Sequence, residues 1–513
     1  MTDNFAMLHR LLDNVSAAVP DKVALIVEDK TYNYGELSRL TQLLAASLLQ
    51  RGIQPGDRVA FLLPNCLEIV LCYYACFKIG AIAVPLNIRF HTELLQYGFT
   101  HSGARILISE PELFENIEKI RPALDRVEEY YLTSPSSKSS GVRSFSELLD
   151  ATFDPDRLPL IEESHAAAIY YTSGTTGLPK AVVHSHASLA RATESQIVQI
   201  AITLEDRTLV MFPICYLIGF GSQILPFHKS GATCVLMPHF EPALALEAIQ
   251  TYRPTKTYGF PKLYNDLVNC PDAGQYNVRS LSFCFSAGEA IPVAVQERFN
   301  RIFGLEITEG CGMTELQIYS MNPPYGKKTI GSIGRPVIGM EVALIDDSGR
   351  PITKAGEIGE MIVRGGSMTA GYWRDPELTA VNIRDGWFHT GDLAYKDNED
   401  IYWFVSRKSE IIHHRAGLVS PIEVEGALYQ HPNVREAGVV AVADRLGHEV
   451  AQAYVVLKEG GGPVSERQLI EFAQKRLPDF KVPVRIVFAE TLVYGPTGKI
   501  DRKTLREKAT MPV

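Results

Sequence analysis

Ile169-Tyr-Tyr-Thr-Ser-Gly-Thr-Thr-Gly-Leu-Pro-Lys180 is the stretch from which the rest of the chain can be read. An apolar strand runs into a loop of small hydroxyl and glycine residues, reaches a lysine, and resumes as Ala181-Val-Val-His184. Small residues let backbone N–H groups come close to an anion, while hydroxyls and an ammonium add donors for phosphate oxygens. No Gly-Lys-Ser/Thr follows four spacer residues, so this is not a Walker A loop.

Outward from that loop, Val23 to about Glu309 alternates short apolar runs with longer helical patterns. The runs include Arg58–Leu63, Ala104–Ile108, Arg207–Phe212, Ala232–Leu236 and Leu281–Phe285. Such alternation predicts an α/β fold whose strands are buried on both faces of a largely parallel sheet. After about Thr329 glycine becomes frequent, and Glu341–Ile345 and Glu360–Val363 are separated by turn signals such as Asp347-Ser-Gly349. That texture predicts an antiparallel sheet or barrel. From about Arg407, strands at Gly438–Val442 and Ala453–Leu457 and a helix over Ser465–Leu477 predict a small separate α+β domain. The expected division is 1–406 and 407–513, with Ser134–Gly141 as an exposed polar loop.

A chain of 513 residues is too long for one ordinary core. Its net charge of -9 argues against broad binding to nucleic acid or to an anionic membrane surface. The eight cysteines sit mostly in apolar runs and form no CxxC pair, as expected of reduced thiols in a cytoplasmic protein. The start, Met1 to Arg10, lacks the pattern of a secretory signal. Ile69–Leu86, the most apolar stretch, is broken by Lys78 and Gly80 and predicts a buried helix running into a strand, not a membrane span. The 13 histidines show no metal-binding spacing, so His184, His186, His413 and His414 read as structural or surface residues.

Thr172 to Lys180 resembles the phosphate-loop signature of the acyl-adenylate-forming family, which includes acyl-CoA synthetases, peptide-synthetase adenylation domains and firefly-type luciferases. Further motifs match it in order: Gly310-Cys-Gly-Met-Thr-Glu315, His389-Thr-Gly-Asp392, Ser406-Arg407 followed by Pro421-Ile-Glu-Val-Glu425, and Pro496-Thr-Gly-Lys-Ile-Asp-Arg502. The resemblance implies a large N-terminal domain of parallel αβ layers plus an antiparallel β-barrel, followed by a small mobile C-terminal domain. It implies that ATP is held by Thr172, Ser173, Gly174, Thr175, Thr176, Gly177 and Lys180, and by Ala287, Gly288, Glu289, Cys311, Gly312 and Thr314. Asp392 would accept hydrogen bonds from the ribose hydroxyls. Glu315 would coordinate magnesium, for which a hard carboxylate oxygen is suited. Arg407 would reach the nucleotide from the domain junction, with the permanent charge and planar fork of a guanidinium. Lys499 would enter during adenylation and stabilise the charge that gathers around the α-phosphate. Thr314, Glu315, Arg407 and Lys499 are thus the expected catalytic set.

The activity implied is that of an AMP-forming acyl-CoA ligase. A carboxylate is a poor acyl donor; ATP converts it to a mixed anhydride with AMP, and the thiol of coenzyme A then takes the acyl group. No protein nucleophile is needed, so Cys311 and Cys215 read as packing or lining residues. Phe212–Gly219 matches the segment that often reads Pro-Leu-Phe-His, with Tyr216 at the histidine position. Tyr216, Leu217, Gly219, Phe260 and Leu316 are the expected acyl pocket, with Gly259-Phe-Pro261 and Leu316-Gln317 as its walls. The absence there of the aspartate that pairs a substrate ammonium favours a non-amino acid, fatty or aryl. By the same resemblance the small domain rotates after Arg407, exchanging Lys499 for the loop His413–Val419, whose Arg415, Ala416 and Gly417 would line the thiol tunnel.

Four positions depart from the family's pattern. Cys311 replaces a tyrosine that stacks on adenine, Ser409 the usual hinge Asp or Lys, and Ala181 the glycine after the phosphate-loop lysine. Arg415-Ala416 replaces a smaller pair. Two alternatives follow: an enzyme that loads a separate acyl-carrier protein or stops at the adenylate, and a non-catalytic sensor of nucleotide or acyl ligand.

Overall fold

The structure, a computed structural model, describes residues 8–134, 140–172, 178–460, 462–495 and 499–509. Two large sheets carry the N-terminal part. The first has eight strands, ordered Gly371–Tyr372, Lys180–Ser185, Ala166–Thr172, Ile82–Pro85, Arg58–Leu62, Ile106–Ser109, Glu129–Leu132 and Arg143–Ser144. Its pairings are parallel from Ala166–Thr172 outward to Arg143–Ser144. The second has nine strands, in which Val23–Val27, Thr233–Leu236, Arg207–Val210, Lys256–Gly259, Phe283–Ser286 and Ile307–Met313 run parallel.

The most apolar stretch behaves as its sequence predicts. Helix Leu67–Ile79 buries every residue from Ile69 to Ile79, ends on Gly80 in the left-handed region (φ 71°), and leads into strand Ile82–Pro85. That helix packs in one apolar cluster with residues of both sheets, such as Phe61 and Phe285. Each fully buried Leu, Ile, Val or Phe contributes roughly 1.5–3 kcal/mol, so this shared cluster welds the sheets into one body.

Around the phosphate loop the two flanking strands, Ala166–Thr172 and Lys180–Ser185, pair antiparallel, with Thr172 opposite Lys180. The motif is thus flanked by two antiparallel strands, whereas a Walker A loop leads from a strand into a helix. Ala181 is buried opposite Tyr171, and its carbonyl accepts from Trp373 N at 2.8 Å, so the Cβ that replaces the family's glycine packs into the sheet.

Residues after Thr329 form the expected antiparallel sheet, built from Met340–Ile345, Gly359–Gly365, Trp387–Lys396, Ile383–Arg384 and Tyr402–Arg407. Its first and last strands do not pair, yet Tyr402 Oη donates to Val342 O at 2.8 Å. That bond across opposite ends of the sheet shows it curled towards a barrel.

The C-terminal part has its own cores. Strands Val434–Ala443, Glu449–Leu457 and Arg485–Phe488 form one sheet with two apolar faces. Val439, Ala441 and Ala453 join one cluster with helices Pro421–Tyr429 and Glu466–Gln474. Val440, Val442 and Tyr454 join another with Leu492 and Leu505. Phe404 packs on the large core, and Ile412 belongs to the small one.

Candidate active site

A cavity of 1170 Å³ opens between the two parts, larger than the usual 300–1,000 Å³ of a single small-molecule site. It lies beyond the carboxyl ends of Lys256–Gly259, Phe283–Ser286 and Ile307–Met313, where open α/β sheets bind ligands. Thr172, Lys180, Ala287, Gly288, Glu289, Cys311, Gly312, Thr314, Glu315, Asp392, Arg407 and Lys499 all line it. Ser173, Gly174, Thr175, Thr176 and Gly177 lie outside the described residues, as do Pro496, Thr497 and Gly498.

One corner joins the phosphate-loop lysine to the acidic turn. Lys180 Nζ sits 5.7 Å from the centroid of the Tyr372 ring, and Tyr372 Oη donates to Glu315 Oε1 at 2.9 Å. Glu315 is 6 % exposed. Behind the turn, His184 Nε2 lies 2.7 Å from the Thr314 carbonyl; an oxygen that only accepts fixes the proton on Nε2. Burial pulls His184 down to about 4, so it holds the turn as a neutral ring. Thr369 N donates to the Glu315 carbonyl at 2.7 Å, closing the support.

A second corner is cationic. Arg407, the last residue of its strand, stands opposite Asp392 and brings Nε within 2.9 Å of Oδ1, an ion pair not aligned as a hydrogen bond. Asp392 is buried, which pushes its carboxyl up, while Arg407 and Lys499 oppose that shift. Its Oδ2 accepts from Tyr319 Oη at 3.4 Å, and Tyr319 Oη lies 3.0 Å from Cys311 Sγ. Burial, followed by the Asp392 charge, pushes the Cys311 thiol up to about 12, so it stays protonated and inert at neutral pH.

Lys499 arrives from the C-terminal part, its neighbour Ile500 bridged to Tyr494 and its carbonyl accepting from Gly495 N at 2.8 Å. Desolvation and the facing Arg407 pull its ammonium below the usual lysine range, while Glu289 and Asp392 hold it up. Gly288 makes room for it: at φ +96° a Cβ would meet the Phe260 ring at 2.9 Å and Lys499 Cε at 3.6 Å. Ile500 N donates to Glu289 Oε1 at 3.3 Å, joining the two parts at the cavity edge. Arg502 pairs with Glu425 and, at 3.0 Å, with Glu410, which ties the chain after Lys499 to the segment after Arg407. Burial pushes Glu289 up to about 7.

The acyl side is only partly as expected. Tyr216, Leu217 and Phe260 line the cavity, joined by Cys215, Ile218 and Ser222. Asn87 Nδ2 donates to Tyr216 Oη at 2.9 Å. Gly219 and Leu316 do not line it. Gly219 fills a packing contact, where a Cβ would come within 2.9 Å of Ile214 Cα and Pro213 O. Of the expected wall pair Leu316-Gln317, Leu316 is fully buried in the main core and Gln317 lines the cavity. Gln317 holds φ at +59°, a left-handed geometry costing a non-glycine residue on the order of 1–3 kcal/mol. Arg415, Ala416 and Gly417 are exposed at the tip of the Ile412–His414/Gly417–Val419 hairpin and lie away from the cavity.

Tyr372, Tyr319, Ser222 and the support from His184 were not marked by any motif. They are single residues on separate elements, strands and one helical turn, brought together only by the tertiary fold.

Residues 12–373 match the AMP-binding enzyme family, and 423–499 match the AMP-binding enzyme C-terminal domain. This chain belongs to the AMP-binding enzyme family. It is 31% identical over 531 residues to the long-chain-fatty-acid–CoA ligase of Bacillus subtilis, covering 98% of this chain and 94% of the relative. Among solved structures it resembles the anthranilate CoA ligase AuaEII in complex with anthranoyl-AMP, with a TM-score of 0.90, 29% identity, and coverage of 98% and 97%. MatB from Rhodopseudomonas palustris, 26% identical with 99% of both chains covered, matches with a TM-score of 0.88 in its ATP-bound form and 0.79 in its apo form. Among the described residues of this AMP-binding enzyme no helix is long and apolar enough to cross a membrane.

Proposed function

We propose that this AMP-binding enzyme is an AMP-forming acid–CoA ligase for a non-amino carboxylic acid, fatty or aryl, and that the arrangement described is its adenylating one. The observation that carries this reading is the convergence of Lys180, Glu315, Asp392, Arg407 and Lys499 on one cavity, with Lys499 supplied by the small domain. The better match to the ATP-bound than to the apo form of MatB supports it.

The chemistry follows from the charges. The substrate carboxylate attacks the α-phosphorus of ATP in line, the bond to the bridging oxygen breaks, and pyrophosphate leaves. Negative charge gathers around phosphorus, and Lys499 offers an ammonium to it; the lowered proton affinity caused by desolvation leaves it a stronger hydrogen-bond donor. Asp392 anchors the ribose hydroxyls and Arg407 balances that buried carboxylate. In the second step the coenzyme A thiol attacks the acyl carbonyl, and AMP leaves with the bonding pair. The small domain turns after Arg407, withdrawing Lys499 and presenting Arg415, Ala416 and Gly417 to the thiol.

Magnesium fits this site. Glu315 offers a hard carboxylate oriented by Tyr372, and no group of three His, Cys, Asp or Glu side chains forms a cage among the described residues. The ion would thus be held by Glu315 together with the nucleotide phosphates, whose charge it neutralises when bound. The cysteines among the described residues are free thiols, which suits a cytoplasmic enzyme.

A panel of fatty and aryl acids in pyrophosphate exchange, followed by product analysis with and without coenzyme A, tests the proposal. Exchange together with thioester formed only when coenzyme A is present is the expected result. Exchange without thioester would point to an acyl-carrier protein as acceptor, and no exchange with any acid would point to a sensor.

A further inference from the structure

Asp392 is buried, yet the Arg407 guanidinium beside it is not aligned as a hydrogen bond, and Oδ1 is left without one. Among the described residues the one side chain that donates a hydrogen bond to this carboxylate is Tyr319, from Oη to Oδ2 at 3.4 Å. Tyr319 is fully buried in strand Gln317–Met321 of the nine-stranded sheet, whereas Asp392 lies on Trp387–Lys396 of the antiparallel sheet. The bond therefore joins two sheets at the nucleotide corner. Its direction follows from its members. An ionised carboxylate only accepts, so the phenol proton lies toward Asp392, and the Cys311 thiol, 3.0 Å away, donates to the phenol oxygen. Burial raises both the thiol and the phenol, so both keep the protons that this order needs at neutral pH. A phenylalanine would fill the same space with no buried hydroxyl to satisfy. The hydroxyl is present instead, and it is aimed at the carboxylate.

We infer that Tyr319 is a positioning residue for the nucleotide: backed by Cys311, it fixes the Asp392 carboxylate through Oδ2 and so presents the unpaired Oδ1 to a ribose hydroxyl. The inference deepens the ligase reading above and rests on it, since that reading makes Asp392 the ribose anchor. The other groups facing Asp392 act by charge. Arg407 and Lys499 favour its ionised form, and Glu410 opposes it. Coulombic attraction depends little on where the oxygen lone pairs point, whereas a hydrogen bond depends on direction. Without the Tyr319 hydroxyl the carboxylate stays in place but turns more freely, and it loses one group that favours its ionised form.

The test compares the full-length wild type, Tyr319→Phe and Cys311→Ala in pyrophosphate exchange with ATP, 2′-deoxy-ATP and 3′-deoxy-ATP, using an acid that the wild type activates. The wild type should favour ATP over at least one deoxy analogue by about tenfold or more in kcat/KM, the scale of a hydrogen bond to a charged group. Tyr319→Phe should cut that ratio below about threefold, through KM for ATP and not through kcat or KM for the acid. The acid limb of kcat/KM for ATP should also move to higher pH, because the carboxylate has lost a donor. Cys311→Ala should lower the ratio by less, since it removes the outer bond of the chain; contacts to the base cancel in the ratio. It decides if Tyr319→Phe loses cooperative unfolding. An unchanged ratio in the deciding variant, or equal losses with all three nucleotides, would overturn the inference and leave the ligase reading standing. So would a wild type indifferent to both deoxy analogues. No exchange with any acid would remove both.

Discussion

Two loops of the same small domain meet different fates. Lys499 stands in the cavity among Arg407, Asp392 and Glu289, whereas the hairpin tip at Arg415, Ala416 and Gly417 faces solvent. They hang from opposite faces of one three-stranded sheet: Ile500 and Tyr494 pack with Val440 and Val442, while Ile412 and Val419 pack with Val439 and Ala441. Alternation along a strand sends neighbouring side chains to opposite faces, so a rigid sheet of this kind cannot offer both loops to the large domain at once. Under the proposed function, that restriction separates the two half-reactions. One domain carries two tools and must turn to change them.

The comparison can be broken or sharpened by substitutions on each side. The largest effect is expected at the nucleotide corner shared by both orientations. Glu315→Gln keeps the shape but removes the charge held by Tyr372, and should slow pyrophosphate exchange by about 10²–10³-fold, the scale of losing one charge-stabilising group. Next comes the exposed hairpin. Ala416→Trp should slow thioester formation from supplied acyl-adenylate by about tenfold or more, as for misplacing one reacting group, while exchange stays within about twofold. Parallel loss in both steps would mean that the hairpin already serves adenylation.

The smallest effect concerns the contact between domains. Burial raises Glu289 from the ordinary 4.5 to about 7, so the folded protein holds that proton more tightly than the unfolded chain does. The contribution is fully present below about pH 4.5, falls as pH rises through about 7, and is flat above. Scanning calorimetry across that window should show a steeper fall in Tm for the wild type than for Glu289→Gln. Identical slopes would mean that Glu289 is not held at this junction.

Much of this was legible in the sequence because its signals are local. The buried helix, the strand after Gly80 and the α/β alternation came from periodicity, and helix Glu466–Gln474 starts one residue after Ser465, whose capping box is formed with Gln468. Lys180, Glu315, Asp392, Arg407 and Lys499 each sit in a recognisable motif, and each lines the cavity. The acyl side was harder to read, since wall residues are ordinary core types whose direction depends on one backbone angle. Of the expected wall pair Leu316-Gln317, Gln317, with its left-handed φ, lines the cavity, whereas Leu316 is buried in the main core. Tyr372 escaped notice for another reason: its partner Glu315 is distant in sequence, and strand Gly371–Tyr372 is too short to show a pattern.

The central claim is that Lys499 serves the first half-reaction and not the second, and separated partial reactions of Lys499→Ala test it most directly. The account predicts that acyl-adenylate formation slows by at least about 10²-fold while thioester formation from supplied acyl-adenylate is largely retained. Equal damage to both steps, or none to the first, would contradict it.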